Sequence, residues 1–187
     1  RPDVPETNLL ATIPPDDAIE AAEFGNLLTE LMEVIKQAES HLWLISPFLS
    51  EAAFERLEPA LRTAADRGAT ISLLTRYLTY GGEDGEYNRA FARKLLDDPQ
   101  IAPQTLLYEY VNNETWVTFH AKVVIADRKQ AYLGTANVTG TGFMTNLEVG
   151  VLFQDEAVND LGNLFDSLRD SDHLHQVERI GDGFRQT

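Results

Sequence analysis

Cysteine is absent from the 187 residues. That excludes disulfides and thiolate metal sites, although it says little about compartment. Lysine is scarce, with four among fifteen basic residues set against thirty acidic ones, for a net charge of −15. Such a chain reads as a solvated acidic surface or as the carboxylate-rich surface of a halophilic protein, and either way it opposes nonspecific attraction to nucleic acid or anionic lipid. A polyanion would have to be met by a local basic patch. No apolar run approaches the roughly 18 residues of a membrane span, and no amphipathic basic helix is evident, so a membrane is not an expected partner. The opening RPDVPETN is not a signal peptide and lacks Met, so the chain reads as a trimmed or later part of something longer, with a cytoplasmic location as the expectation. The four histidines, at 41, 120, 173 and 175, make no spaced cluster with carboxylates. His173 and His175 read as exposed polar residues, and neither a metal nor a cofactor is expected.

What is present is a 43% apolar, 9% aromatic composition, which suits one domain over residues 1–187 with flexible ends at 1–7 and 171–187. Asn8 to Pro14 reads as a first strand closed by prolines, and acidic DDAIEAAE leads into a helix from Phe24 to Ala38 with Leu27, Leu28, Leu31 and Ile35 on one stripe. A strand from His41 to Ser46 is stopped by Pro47. Ser50 caps the next helix, whose Phe54, Leu57, Leu61 and Ala64 face inward, and Gly68 ends it. ATISLLT follows as a strand, and helix between strands implies a right-handed βαβ unit. Residues 76–87 read as a loop by their glycine content, followed by a short helix with Phe91 and Leu95 inward and Arg89, Arg93 and Lys94 on a solvated face. TLLYEYV is another strand. Asp155 caps a last helix with Val158, Leu161, Leu164, Phe165 and Leu168 inward, before a polar tail from Ser171.

Nearly all the chemistry-bearing groups lie in residues 115–153, TWVTFHAKVVIADRKQAYLGTANVTGTGFMTNLEVGVLF, read as strand, tight turn, short strand, loop and strand. On an extended chain, side chains two apart share a face. Three such pairs occur: His120 with Lys122, Thr135 with Asn137, and Asn146 with Glu148. An imidazole is a nucleophile near neutral pH, Lys and Asn donate to anionic oxygens, and a carboxylate on the far ring nitrogen orients the imidazole. Together these groups describe a phosphate-ester site.

These residues resemble the phospholipase D superfamily. Its HxKxxxxD motif is met by His120, Lys122 and Asp127, and its following Gly-Ser-x-Asn and Asn-x-Glu by Gly134, Thr135, Asn137, Asn146 and Glu148. The triplet alone would arise by chance in roughly 0.6% of chains of this composition. Thr135 departs from the usual Ser; it keeps the hydroxyl and adds a methyl. The resemblance implies an α/β fold, a mixed β-sheet flanked by helices on both faces in an αβα sandwich. Family members use two motifs per active site. Since this chain has one motif and no internal repeat, the resemblance implies a homodimer with the site on its two-fold axis.

In that site the resemblance makes His120 the nucleophile and His120 of the second copy the acid. Lys122 and Asn137, with Thr135, stabilise charge on the phosphoryl oxygens, and Glu148 holds the imidazole's other nitrogen. Asn146 is either a ligand or a loop-ordering group, and Asp127 reads as a structural anchor for the turn at Arg128 and Lys129. Ser46, at a strand end, lines the cleft or serves as a turn hydroxyl. Arg76 contacts substrate phosphates while Tyr77 and Tyr80 stack on bases, unless the loop is plain surface. The leading expectation is a metal-independent nuclease of the compact single-motif branch, where restriction and antiviral defence systems are common settings. The alternatives are a phospholipid hydrolase or phosphatidyl transferase, and a non-hydrolysing nucleic-acid-binding module working with partner proteins in a larger complex.

Overall fold

Two short runs with no polar side, LWLI within β3 (His41–Ile45) and ISLL within β4 (Thr70–Thr75), pair in parallel and are buried on both faces, as central strands of an α/β sheet must be. The sheet grows outward from them. The computed structural model describes residues 7–14, 25–80, 82–112, 118–154 and 156–187. The remaining strands are β1 (Thr7–Thr12), β2 (Gly25–Asn26), β5 (Thr105–Tyr110), β6 (Val123–Ala126), β7 (Gln130–Gly134), β8 (Glu148–Phe153), β9 (Leu174–Ile180) and β10 (Gly183–Gln186). They form one mixed sheet in the order β10-β9-β5-β4-β3-β6-β7-β8-β1-β2. β3, β4 and β5 run parallel, and β6, β7 and β8 meander antiparallel away from β3.

Period-2 alternation divides the core between the two faces. Leu42, Leu44, Ile71, Leu73 and Leu107 point to the side covered by α1 (Leu27–Gln37), α2 (Glu51–Asp66) and α3 (Glu83–Asp97). Trp43, Ile45, Leu74 and Tyr108 point to the other side, where Val158 and Phe165 of α5 (Glu156–Arg169) pack. A fully buried leucine in such a layer contributes about 1.5–3 kcal/mol. The helices start and stop where their caps dictate: Asn26 accepts from the Thr29 N–H at 3.0 Å and Ser50 from the Ala53 N–H at 3.3 Å. Gly68, at φ +85°, turns the chain out of α2 in a conformation that suits glycine. The expected αβα sandwich is the fold observed.

Several sequence expectations change at their margins. The loop after β4 is shorter than 76–87, because α3 begins at Glu83. Leu164 is exposed, while Val158 and Phe165 carry the buried face of α5. The polar tail from Ser171 is a folded hairpin: β9 pairs with β5 and β10 with β9, burying Leu174 and Val177. His173 and His175 are accordingly half-buried, with the His173 ring 6.0 Å from that of Tyr110. The lead-in through residue 6, the acidic DDAIEAAE, Phe24 and the Asp155 cap lie outside the described residues.

Candidate active site

The register brings the expected groups to one edge of the sheet. β3 and β4 end together, with Ile45 opposite Leu74, and antiparallel β6 starts at that same end, with Val123 opposite Ile45. β7 ends and β8 begins beside them. Arg76, His120, Lys122, Thr135 and Glu148 therefore converge from four chain segments, although 118–122 precede β6 rather than forming part of a ladder. Asp127 follows the other end of β6, a strand length or roughly 13 Å away.

His120 is exposed, with the Phe48 ring edge-on at a centroid distance of 6.4 Å. Partial burial, then the charges of Lys122 and Arg76, lower its pKa below the ordinary histidine value, which favours the free base required of a nucleophile. Lys122 is buried and turns its ammonium back onto the His120 carbonyl at 3.0 Å. Its pKa is also lowered, by burial first and by Arg76, against the opposing pull of Glu148. Arg76 is buried as well. Its guanidinium lies over Phe48 at 4.3 Å and Tyr77 at 4.7 Å, donates to Thr118 Oγ1 at 2.8 Å, and leaves Nε without a described partner. These two buried cations, both acting on His120, give the acidic chain a local basic patch.

Glu148 is buried at the start of β8 and accepts from Thr135 Oγ1 at 2.5 Å and Asn146 Nδ2 at 3.2 Å. Its expected bond to the His120 of its own chain is not among the described hydrogen bonds; Thr135 and Asn146 take both carboxylate oxygens. Thr135 also receives the Val149 N–H at 3.1 Å, which seats its loop on β8. Asn137 is half-buried, and its buried Oδ1 has no described hydrogen-bond partner; that oxygen can only accept, so any bond to a phosphate would have to come from its Nδ2. Gly134 and Gly150 leave room for the Tyr132 ring: a Cβ at either would come within 2.2–2.4 Å of it. A bulkier residue at either position would push the Thr135 loop and β8 apart.

Ser46 does not line the cleft. It is fully buried, donates to the Phe48 carbonyl at 2.7 Å and accepts the Val138 N–H at 3.1 Å, so it ties the turn after β3 to the segment carrying Asn137. Asp127 likewise builds the frame. Against the cost of burial, bonds from the His41, Glu39 and Ser40 N–H groups and the Ser40 hydroxyl hold its carboxyl below the usual carboxylate range. It therefore clamps the turn after β6 to the start of β3 and reaches no reacting group.

Two buried polar residues escaped the sequence reading. Glu109 accepts from Leu78 N, Thr79 N and Thr79 Oγ1, and Asn88 bonds Leu49 N, Pro47 O and Arg76 O. Both are fully buried, and together they hold the loop that presents Arg76. The available signal was a lone carboxylate within the apolar run TLLYEYV. Among the described residues no group of three His, Cys, Asp or Glu is placed to hold a metal, and no helix is long and apolar enough to cross a membrane.

A family model described as cardiolipin synthase, PLD-like domain, matches residues 31–169. A probable cardiolipin synthase, YwiE of Bacillus subtilis, is 28% identical over 156 residues, which cover 78% of this chain but only 27% of that protein. The DISARM protein DrmC of Bacillus paralicheniformis is 25% identical over 71 residues, or 38% of this chain and 30% of its own length. Among solved structures, the phospholipase D family member Nuc from Salmonella typhimurium superposes with a TM-score of 0.62 at 17% identity, covering 94% of this chain and 100% of that one.

Proposed function

Because the chain belongs to the phospholipase D superfamily, we propose that it is a metal-independent phosphodiesterase acting on nucleic acid, with the active site shared between two copies of the chain. The observation that carries the reading is the sheet edge, where an exposed imidazole with a lowered pKa stands beside two buried cations, Lys122 and Arg76. In the first step the His120 lone pair attacks phosphorus, the bond to the leaving oxygen breaks, and His120 of the second copy gives that oxygen a proton. In the second step water attacks the phosphohistidine, the second histidine takes its proton, and the N–P bond breaks to restore the imidazole. Lys122, Asn137 and Arg76 stabilise the non-bridging oxygens throughout.

Two features support the shared site. No carboxylate of its own chain orients His120 among the described bonds, and in a two-fold pair Glu148 would serve the imidazole of the second copy. In addition, Leu9, Val151 and Leu133 lie opposite one another across β1, β8 and β7, with Val149 two residues along on the same face. Leu9, Leu133 and Val149 are 58%, 43% and 52% exposed, which leaves an apolar strip beside the reacting edge for the second copy to cover. Nuc, a phospholipase D family member, shares the fold over 94% of this chain, which is compatible with that reading. On the resemblance drawn above, the setting is a cytoplasmic restriction or antiviral defence system with partner proteins; loss of phage resistance on His120→Asn would support that setting, and unchanged resistance would count against it.

The family description and the YwiE match favour a second reading, transfer or hydrolysis at a phospholipid headgroup. Incubation with labelled DNA, RNA and phosphatidylglycerol vesicles in EDTA separates the two. Cleavage of nucleic acid in EDTA is expected. Lipid turnover alone selects the second reading, and strict dependence on added magnesium rules out the metal-free mechanism.

A further inference from the structure

Beside the reacting edge, and sharing Phe48 with it, lies a groove of about 350 Å³. Phe48, Leu49 and Ala52 from the turn into α2, Tyr87 from α3, and Thr139 and Thr141 around the start of α4 (Gly140–Met144) form it. Its lining is predominantly apolar, with hydroxyls among it. The groove is preformed: Leu49 bridges Val138, Ser50 N–H donates to the Val138 carbonyl at 3.1 Å, Gly140 N–H donates to Ser50 Oγ at 3.0 Å, and buried Asn88, next to Tyr87, accepts the Leu49 N–H at 2.8 Å. Phe48 belongs to both places, since its ring also carries the Arg76 guanidinium and meets His120 edge-on. A group esterified to a phosphate at His120 and Arg76 therefore has, across Phe48, an apolar groove beside it. Tyr87 is 61% exposed, with Lys94 two turns further along the same helix face, so packing within the chain does not account for it.

We infer that this groove is a subsite for one nucleobase, that of the nucleotide next to the scissile phosphate, with Tyr87 and Phe48 as its aromatic contacts. The inference rests on the nucleic-acid reading. A flat heterocycle matches the aromatic walls, its polar edge matches the hydroxyls of Thr139 and Thr141, and the volume suits one ring system rather than the paired acyl chains of a phospholipid.

The test is equilibrium binding of AMP and of ribose 5-phosphate to the 187-residue chain carrying His120→Asn. AMP should bind tighter by roughly 5- to 150-fold, the worth of one stacked base. That advantage should vanish in Tyr87→Ala and survive in Tyr87→Trp, with ribose 5-phosphate affinity unchanged in both. Equal affinity for the two probes, or an AMP advantage indifferent to Tyr87→Ala, overturns the subsite. Dihexanoylphosphatidylglycerol binding that depends on Tyr87 while AMP binding does not would assign the groove to an acyl chain and overturn it as well. Oligonucleotide turnover by the native chain is scored separately: its absence removes the hydrolytic reading, while a Tyr87-dependent AMP advantage still sustains the subsite.

Discussion

On the proposed mechanism, the side chains at this sheet edge divide into those that would touch phosphate and those that hold others in place. The His120 side chain is exposed and makes no hydrogen bond among the described residues, so His120→Asn should abolish turnover while leaving the melting temperature within a degree or two of wild type. Glu148 is different, because both its oxygens accept from donors, Thr135 Oγ1 and Asn146 Nδ2. Glu148→Gln sets an amide donor against one of them, so it should cost about 1 kcal/mol of stability and lower turnover by roughly 10- to 1,000-fold. Thermal melts with single-turnover kinetics check both variants, and a fully active His120→Asn protein would mean that the nucleophile lies elsewhere. The charge of Arg76 lowers the His120 pKa, so Arg76→Met should raise it toward the ordinary value. An NMR titration of the ring protons reads this directly; a pKa that stayed put or fell would remove Arg76 as a cause.

Among the elements, the turn between β6 and β7 is held to the start of β3 by one side chain. Asp127 and Arg128 both have positive φ, 53° and 55°, and the Asp127 carboxylate accepts four hydrogen bonds from residues 39–41. Its folded-state pKa lies below the unfolded one, so its stabilisation is fully present above the ordinary carboxylate range and is lost as pH falls through the folded value. Asp127→Asn should therefore lower the melting temperature at pH 7 and also flatten the acid decline, since the variant has no such carboxylate to protonate. Activity should fall only as the fold does. A stable but inactive Asp127→Asn enzyme would return this residue to the chemistry. On the other flank, β9 and β10 cover the edge of β5, which would otherwise present unpaired backbone groups to solvent.

At the scale of the whole molecule, the stretch 115–153 supplies one imidazole, and the proposed two-histidine mechanism takes the other from a second copy. The strip of Leu9, Leu133, Val149 and Val151 is where charge should keep the copies apart. Leu133→Glu with Val149→Glu should leave a folded monomer, seen by sedimentation and circular dichroism, that has lost turnover. These positions are exposed in the single chain, so a carboxylate there costs the fold little. A fully active monomer would overturn the shared site.

Periodicity and spacing along the chain were enough to locate β3, β4 and β5, the faces of α1 and α2, the Ser50 cap, and the separate pairs His120 with Lys122, Thr135 with Asn137 and Asn146 with Glu148, because each depends on residues only a few positions apart; the family resemblance joined those pairs into one group. Local pattern cannot report which direction a side chain takes once distant segments meet. Ser46 is buried because Val138, 92 positions later, presents an N–H to it, and Asp127 is a clamp because residues 39–41 arrive with their N–H groups aligned. The polar C-terminal tail becomes a hairpin only because β5 offers an open edge, with Leu107 opposite Val177, to a segment whose own alternation is weak. Glu148 faces Thr135 and Asn146 rather than His120 for the same reason: the β7–β8 register settles its neighbours, and pairing between strands is a property of the folded sheet.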